Sequence, residues 1–211
     1  MHEPRSMNTD NSSAPLLSEP AGRGDGATQQ EWLIDVQRST LAFSLRHIVV
    51  QRIHGRFDRW GGSLFFDRAQ PSQSSLELWV DLASITTGDD ERDAHVRSAE
   101  FLDVKRFPRA FFHSGLVEVR GSDVIVNGRL ELRGVVHDVQ VNVEIGAPAA
   151  GSDGRVRAPA TARATINRQS FGLHWNQDLD VGGIVVGDEI DIRATVEMVR
   201  ADDVGSSPGR R

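Results

Sequence analysis

The chain has 211 residues, 38% of them hydrophobic, no cysteine and a formal net charge of -6. Its length supports one domain with its own core, and the apolar deficit sits mostly at the two ends. Without cysteine there is no disulfide framework, thiolate nucleophile or cysteine-held metal. The basic residues are scattered, which argues against the clustered footprint of a nucleic-acid binder.

Residues 1–30 are hydrophilic and read as a disordered extension, with Leu16 and Leu17 as an apolar pair. No stretch there resembles the roughly 7–15-residue apolar core of a secretory signal. No run approaches the ~18–20 apolar residues of a membrane helix. The expectation is a cytoplasmic protein with no integral membrane segment. Residues 31–200 read as one domain and residues 201–211 as a second disordered tail.

Candidate strands follow in order: Trp32–Val36, Thr40–His47, Val49–Phe57, Gly62–Asp67, Ser74–Leu82, Ala110–Arg120, Asp123–Leu132, His137–Ile145, Arg155–Arg168 and Glu189–Val199. Several alternate strictly. Val139, Val141, Val143 and Ile145 interleave with Asp138, Gln140, Asn142 and Glu144. Such strands have one dry and one wet face, as in an antiparallel sheet. Gly, Pro, Asp and Ser clusters separate most of them, with Gly151–Gly154 the clearest turn. One short helix is predicted from Asp89 to Ala99, its acidic start suiting the helix dipole and Thr87 or Gly88 capping it.

One short helix cannot shield so many dry faces. The predicted fold is therefore all-β, an extended antiparallel barrel of eight strands, some of them long and bent, with the helix closing or flanking one end. Parity then assigns the interior. Phe43, Leu45, Phe66, Leu78, Val80 and Phe112 point inward, as do Ala160, Ala162, Ala164 and Ile166. The alanine row either fits the taper of a filled barrel or leaves room for a guest. About ten buried CH₂ groups would contribute roughly 8 kcal/mol gross, so a hydrocarbon tail is the natural guest.

Three residues fall near an expected mouth. His47 continues the Leu41–Phe43–Leu45 row and is either a satisfied core histidine or a ligand contact. Arg168 continues the alanine row. It either pairs with a helix-region acid such as Asp93 or Asp103, or meets an anionic headgroup. Trp175 either packs across the opening or caps the surface.

These residues resemble the YceI-like family of lipocalin-like, polyisoprenoid-binding barrels. The resemblance runs from Trp32-Leu33-Ile34-Asp35 through Leu41–His47, Gly55-Arg56-Phe57 and Ser84–Thr87. It continues with Arg92–Ser98, Phe107-Pro108, Gly128–Val135, Ile166–Gly172, Trp175-Asn176 and Val186–Ile190. It implies a long isoprenoid held tail-in, with its polar head near the mouth. The partner is thus an amphiphilic long-chain lipid, and no cofactor is expected beyond a bound isoprenoid or isoprenoid-quinone-like lipid. Gly182-Gly183 reads as a mouth hairpin or a plain turn. Exposed strand edges in this class can pair two copies into a homodimer.

An enzyme reading is weaker. No two of the seven histidines have metal-binding spacing, and no G-x-S-x-G elbow, P-loop or dinucleotide fingerprint is present. The alternatives to a carrier, storage or sequestering protein are an enzyme acting on an isoprenoid-type lipid through His47, His95 or an interior acid, and a filled barrel that binds a partner.

Overall fold

The computed structural model describes residues 29–47, 51–67, 69–120, 123–175 and 186–204. The readings made above for residues 1–28 and 205–211, for Asn176, for Gly182-Gly183 and for the side chain of His47 lie outside the described residues.

Among the described residues, twelve strands form one antiparallel sheet: β1 (Gln29–Ile34), β2 (Thr40–His47), β3 (Gln51–Phe57), β4 (Trp60–Asp67), β5 (Ser75–Asp81), β6 (Ile85–Thr86), β7 (Arg109–Arg120), β8 (Asp123–Leu132), β9 (Val135–Ile145), β10 (Ala149–Ala150), β11 (Val156–Asn167) and β12 (Val186–Arg200). Eight of them close a ring in the order β12-β11-β9-β8-β7-β5-β4-β1, which returns to β12. The predicted eight-stranded barrel is therefore the fold.

The surplus strands come from bending. A 3₁₀ turn at Val36–Arg38 splits the first long strand. Its first half, β1, pairs with Met198–Arg200 of β12, and its second half, β2, pairs with the stretch from Thr195 back to Val186. Strands β3 and β4 are divided the same way by Asp58 and Arg59. One end of the barrel is thus walled by β1, β4 and β5, the other by β2, β3 and β6. Helix α1 (Asp90–Arg97) lies beside β6, where Leu102 and Ala110 pack with Leu82 and Ile85.

Several boundaries differ from the sequence reading. The first strand begins at Gln29, inside the predicted tail, because Gln29 and Gln30 pair with Asp67 and Phe66. A helical turn, α2 (Ala201–Val204), follows β12, and its Asp203 accepts from the Val156 amide and Arg200. Helix α1 is shorter than predicted and is capped by Asp89, not Thr87 or Gly88. The Asp89 carboxylate accepts the Arg92 amide at 3.0 Å. Between β8 and β9 lies a two-residue turn with positive φ at both Arg133 (54°) and Gly134 (73°), the backbone of a type I′ hairpin. Arg133 holds that unusual backbone while donating to the Gly172 and Ala99 carbonyls.

The interior divides into two regions. Trp32, Ala158, Ala160 and Met198, joined by Leu64, Phe66, Val143 and Ile145, pack together at the β1–β4 end, with Val117, Val124 and Val126 against Val143 and Ile145. Above them the wall residues stand around a cavity.

Candidate functional site

The cavity measures about 620 Å³, within the usual range for small-molecule sites. Its wall is overwhelmingly apolar. Phe43, Leu45, Leu78, Val80, Phe112, Ala162, Ala164 and Ile166 all line it, as the parity reading placed them. Two predicted wall residues do not. Phe66 and Ala160 share the inward parity but sit lower, inside the packed core around Trp32. Parity fixes which face a residue occupies and says nothing of its height along the barrel.

Small residues make the space. Phe43 lies across Gly55 of the neighbouring strand, where a Cβ would come within 2.3 Å of the ring. Phe112 lies across Gly128, where a Cβ would sit 2.5 Å from its ring. Each glycine lets a large ring lie along the wall, leaving the centre open. Ala162 and Ala164 do the same on β11, opposite Ala194 and Ile192 of β12.

Arg163 and Arg168 apart, the polar part of the wall is local. Thr87, Asp89, Glu91, Arg92 and His95 line the cavity from the start and inner side of α1. Arg92 is committed, donating to the Thr87 hydroxyl and carbonyl and facing Asp89 at 3.6 Å. His95 Nε2 lies 3.0 Å from a Glu100 carboxylate oxygen. Trp175 meets the His95 ring edge-on, with centroids 4.6 Å apart, and Phe101 stands 6.1 Å from the indole. Trp175 therefore packs over the α1 end of the cavity and lines it. The sequence places the helix at the barrel's end but offers only His95 of its side chains near the lipid, and that under the enzyme alternative. The spacing of Arg92, His95 and Val96, all on one helical face, is the signal that could have done so.

Arg168 is not a strand end. It opens a 3₁₀ turn (Arg168–Phe171) and is fully buried. Its guanidinium donates to the carbonyls of Gly187 (3.0 Å), Val186 (3.1 Å), Trp175 (2.8 Å) and Leu173, and pairs with Asp188 at 3.0 Å. The acid is thus Asp188, rather than Asp93 or Asp103. Five contacts match the five N–H groups of an arginine, leaving no donor for a headgroup. Asp93 has another task. Buried on α1, it accepts the amide and hydroxyl of Thr87 at 2.9 and 2.6 Å. Burial pushes its carboxyl up, but the Thr87 hydrogen bonds, one from Thr86 and the Arg97 charge outweigh that and hold it below the ordinary range.

An antiparallel barrel with an apolar cavity and a polar, helix-covered end belongs to the lipocalin-like class of small-ligand barrels. The profile of the YceI-like domain matches residues 32–198, and the chain belongs to that family. A UPF0312 protein of Shewanella baltica (strain OS185) is 31% identical over 179 residues, covering 82% of this chain and 90% of its own. In fold, the chain is similar to BcnA of Burkholderia cenocepacia, with a TM-score of 0.68 at 24% identity, covering 78% of this chain and 98% of that one. It is also similar to a polyisoprenoid binding domain from Saccharophagus degradans implicated in plant cell wall breakdown. There the TM-score is 0.56 at 20% identity, covering 80% of this chain and 98% of that one. Among the described residues, no helix is long and apolar enough to cross a membrane.

Proposed function

We propose that this protein binds the tail of a long-chain isoprenoid or similar amphiphilic lipid in its barrel, acting as a carrier, store or sequestering protein. The observation that carries this is the cavity of about 620 Å³ with its apolar wall. Left dry, such a void would cost on the order of 15 kcal/mol on the scale of engineered core cavities. That equals the whole stability of a typical domain, so the space suits a guest. The polar α1 end supplies a place for the head, and the likeness to a polyisoprenoid binding domain supports an isoprenoid tail. The head is read as uncharged. Asp89 and Glu91 lie on the rim, Arg92 is committed to Thr87 and Asp89, and Arg168 is fully engaged. A diphosphate would meet the repulsion of Asp89 and Glu91, and the two arginines nearest that end, Arg92 and Arg168, are already taken up by partners of their own.

Native mass spectrometry after incubation with a prenol tests this. A one-to-one adduct is the expected result, with at least tenfold weaker uptake in Ala164→Trp, whose indole would fill the waist of the cavity. A folded wild-type protein that takes up no prenol, or a folded Ala164→Trp that takes it up undiminished, overturns the reading. A prenyl diphosphate bound more tightly than the prenol overturns the uncharged head.

A further inference from the structure

The cavity has a floor. Its lower wall includes Leu78, Phe112, Val141, Ala162 and Ala194. One inward step further along three of these strands, Val143, Ala160 and Val196 belong to the packed core of Trp32, Phe66 and Met198. No member of that core lines the cavity. Trp32 and Met198 are each only 5% exposed, so the centre of that core is buried.

Two measures, length and volume, size the space above the floor. The cavity wall spans Ala162 to Ile166 on β11, with Arg168 just past the strand's end, and Ala194 to Val186 on β12. That is about 20–26 Å along the strands, or about 15–20 Å along the axis at the tilt of an eight-stranded barrel. An extended chain advances about 1.2 Å per bond, so an isoprene unit with its four chain bonds spans roughly 5 Å. Three to four units fit the length. By volume, about 620 Å³ is four times the ~150 Å³ cavity that accommodates one benzene. Four five-carbon units fit the volume.

We infer that the barrel is a blind, length-selective site that takes a tail of about four isoprene units, with the Trp32–Phe66–Met198 plug setting the ceiling. The inference rests on the lipid reading above and adds a limit to it. Units beyond the fourth find no wall and stay in water, where apolar surface is disfavoured relative to a membrane.

The test uses the full chain and phosphatidylcholine vesicles carrying equimolar all-trans prenols of three, four, six and nine units. The protein is separated from the vesicles and its lipid identified by mass. Uptake is expected to peak at four units and to fall at least tenfold at six and nine. Ala162→Phe should move the peak to three units by raising the floor. Met198→Ala should admit the six-unit chain by opening the plug, with Phe66→Leu as a milder version should Met198→Ala not fold. Undiminished uptake of six and nine units by the wild type overturns the ceiling and leaves the lipid reading standing. A peak that does not move in folded Ala162→Phe overturns the assignment of the floor. No uptake of any prenol overturns both.

Discussion

Arg168 shows how one side chain can be both buried and charged without serving as a binding group. Its contacts tie the carbonyls of Leu173 and Trp175 to those of Val186 and Gly187. Arg168→Ala removes that donor from four carbonyls and leaves the partly exposed Asp188 with Gln169 as its side-chain donor. The expected loss is about 3 kcal/mol or more in urea unfolding, because each buried carbonyl left without a donor costs about 1–3 kcal/mol. Arg168→Lys should recover less than half of it, because a single ammonium cannot spread donors over so wide a set of acceptors. An alanine variant within 1 kcal/mol of wild type would mean the brace supports nothing.

At the scale of elements, α1 is fastened at few points. Arg97 donates to the carbonyls of Ala83 and Ile85 and faces Asp93 at 4.0 Å, while Asp93 accepts from Thr87. Because the folded Asp93 carboxyl titrates below its ordinary value, its stabilising effect is complete above the ordinary carboxylate range. It fades as pH drops through the depressed folded value. Amides of α1 should thus lose hydrogen-exchange protection on acidification before those of β8 do. Asp93→Asn should show that loss already at neutral pH. If α1 and β8 lose protection together, the carboxylate is not the fastening. Strand β11 carries a second contrast. Ala158 is 1% exposed within the packed core, whereas Ala164 faces the cavity. Ala158→Val should cost about 1–3 kcal/mol through overpacking, and Ala164→Val under about 0.5 kcal/mol, both read from thermal unfolding. Equal costs would mean that the cavity wall is as tightly packed as the core.

For the molecule as a whole, a guest that binds only the folded barrel must stabilise it. At a free concentration of one hundred times Kd the gain is about 2.7 kcal/mol, or roughly 5–10 °C in Tm for a chain of this size. A saturating prenol that leaves Tm unchanged would argue against interior binding. Much of this architecture is legible in the sequence, because alternation states which face of each strand is dry and a dry face with no helix to cover it must close on itself. Height along the barrel is not legible. Phe66 and Ala160 carry the same parity as Leu78 and Ala162, yet register and bending put the first pair in the plug and the second on the cavity wall. The partners of Arg168 were hidden for a related reason. Four are backbone carbonyls, which no side-chain pattern announces, and the fifth lies twenty residues downstream at Asp188.

Among the described residues, a vessel sealed at its base has its doorway at the α1 end. Whatever enters beneath α1 and Trp175 must leave by the same route, and solvent displaced from the bottom must slip past the incoming molecule. Cargo cannot be threaded from one side of the protein to the other. Any membrane or acceptor that trades lipid with this barrel therefore has to approach the helix-covered rim, and the head, last to go in, is the first part offered back.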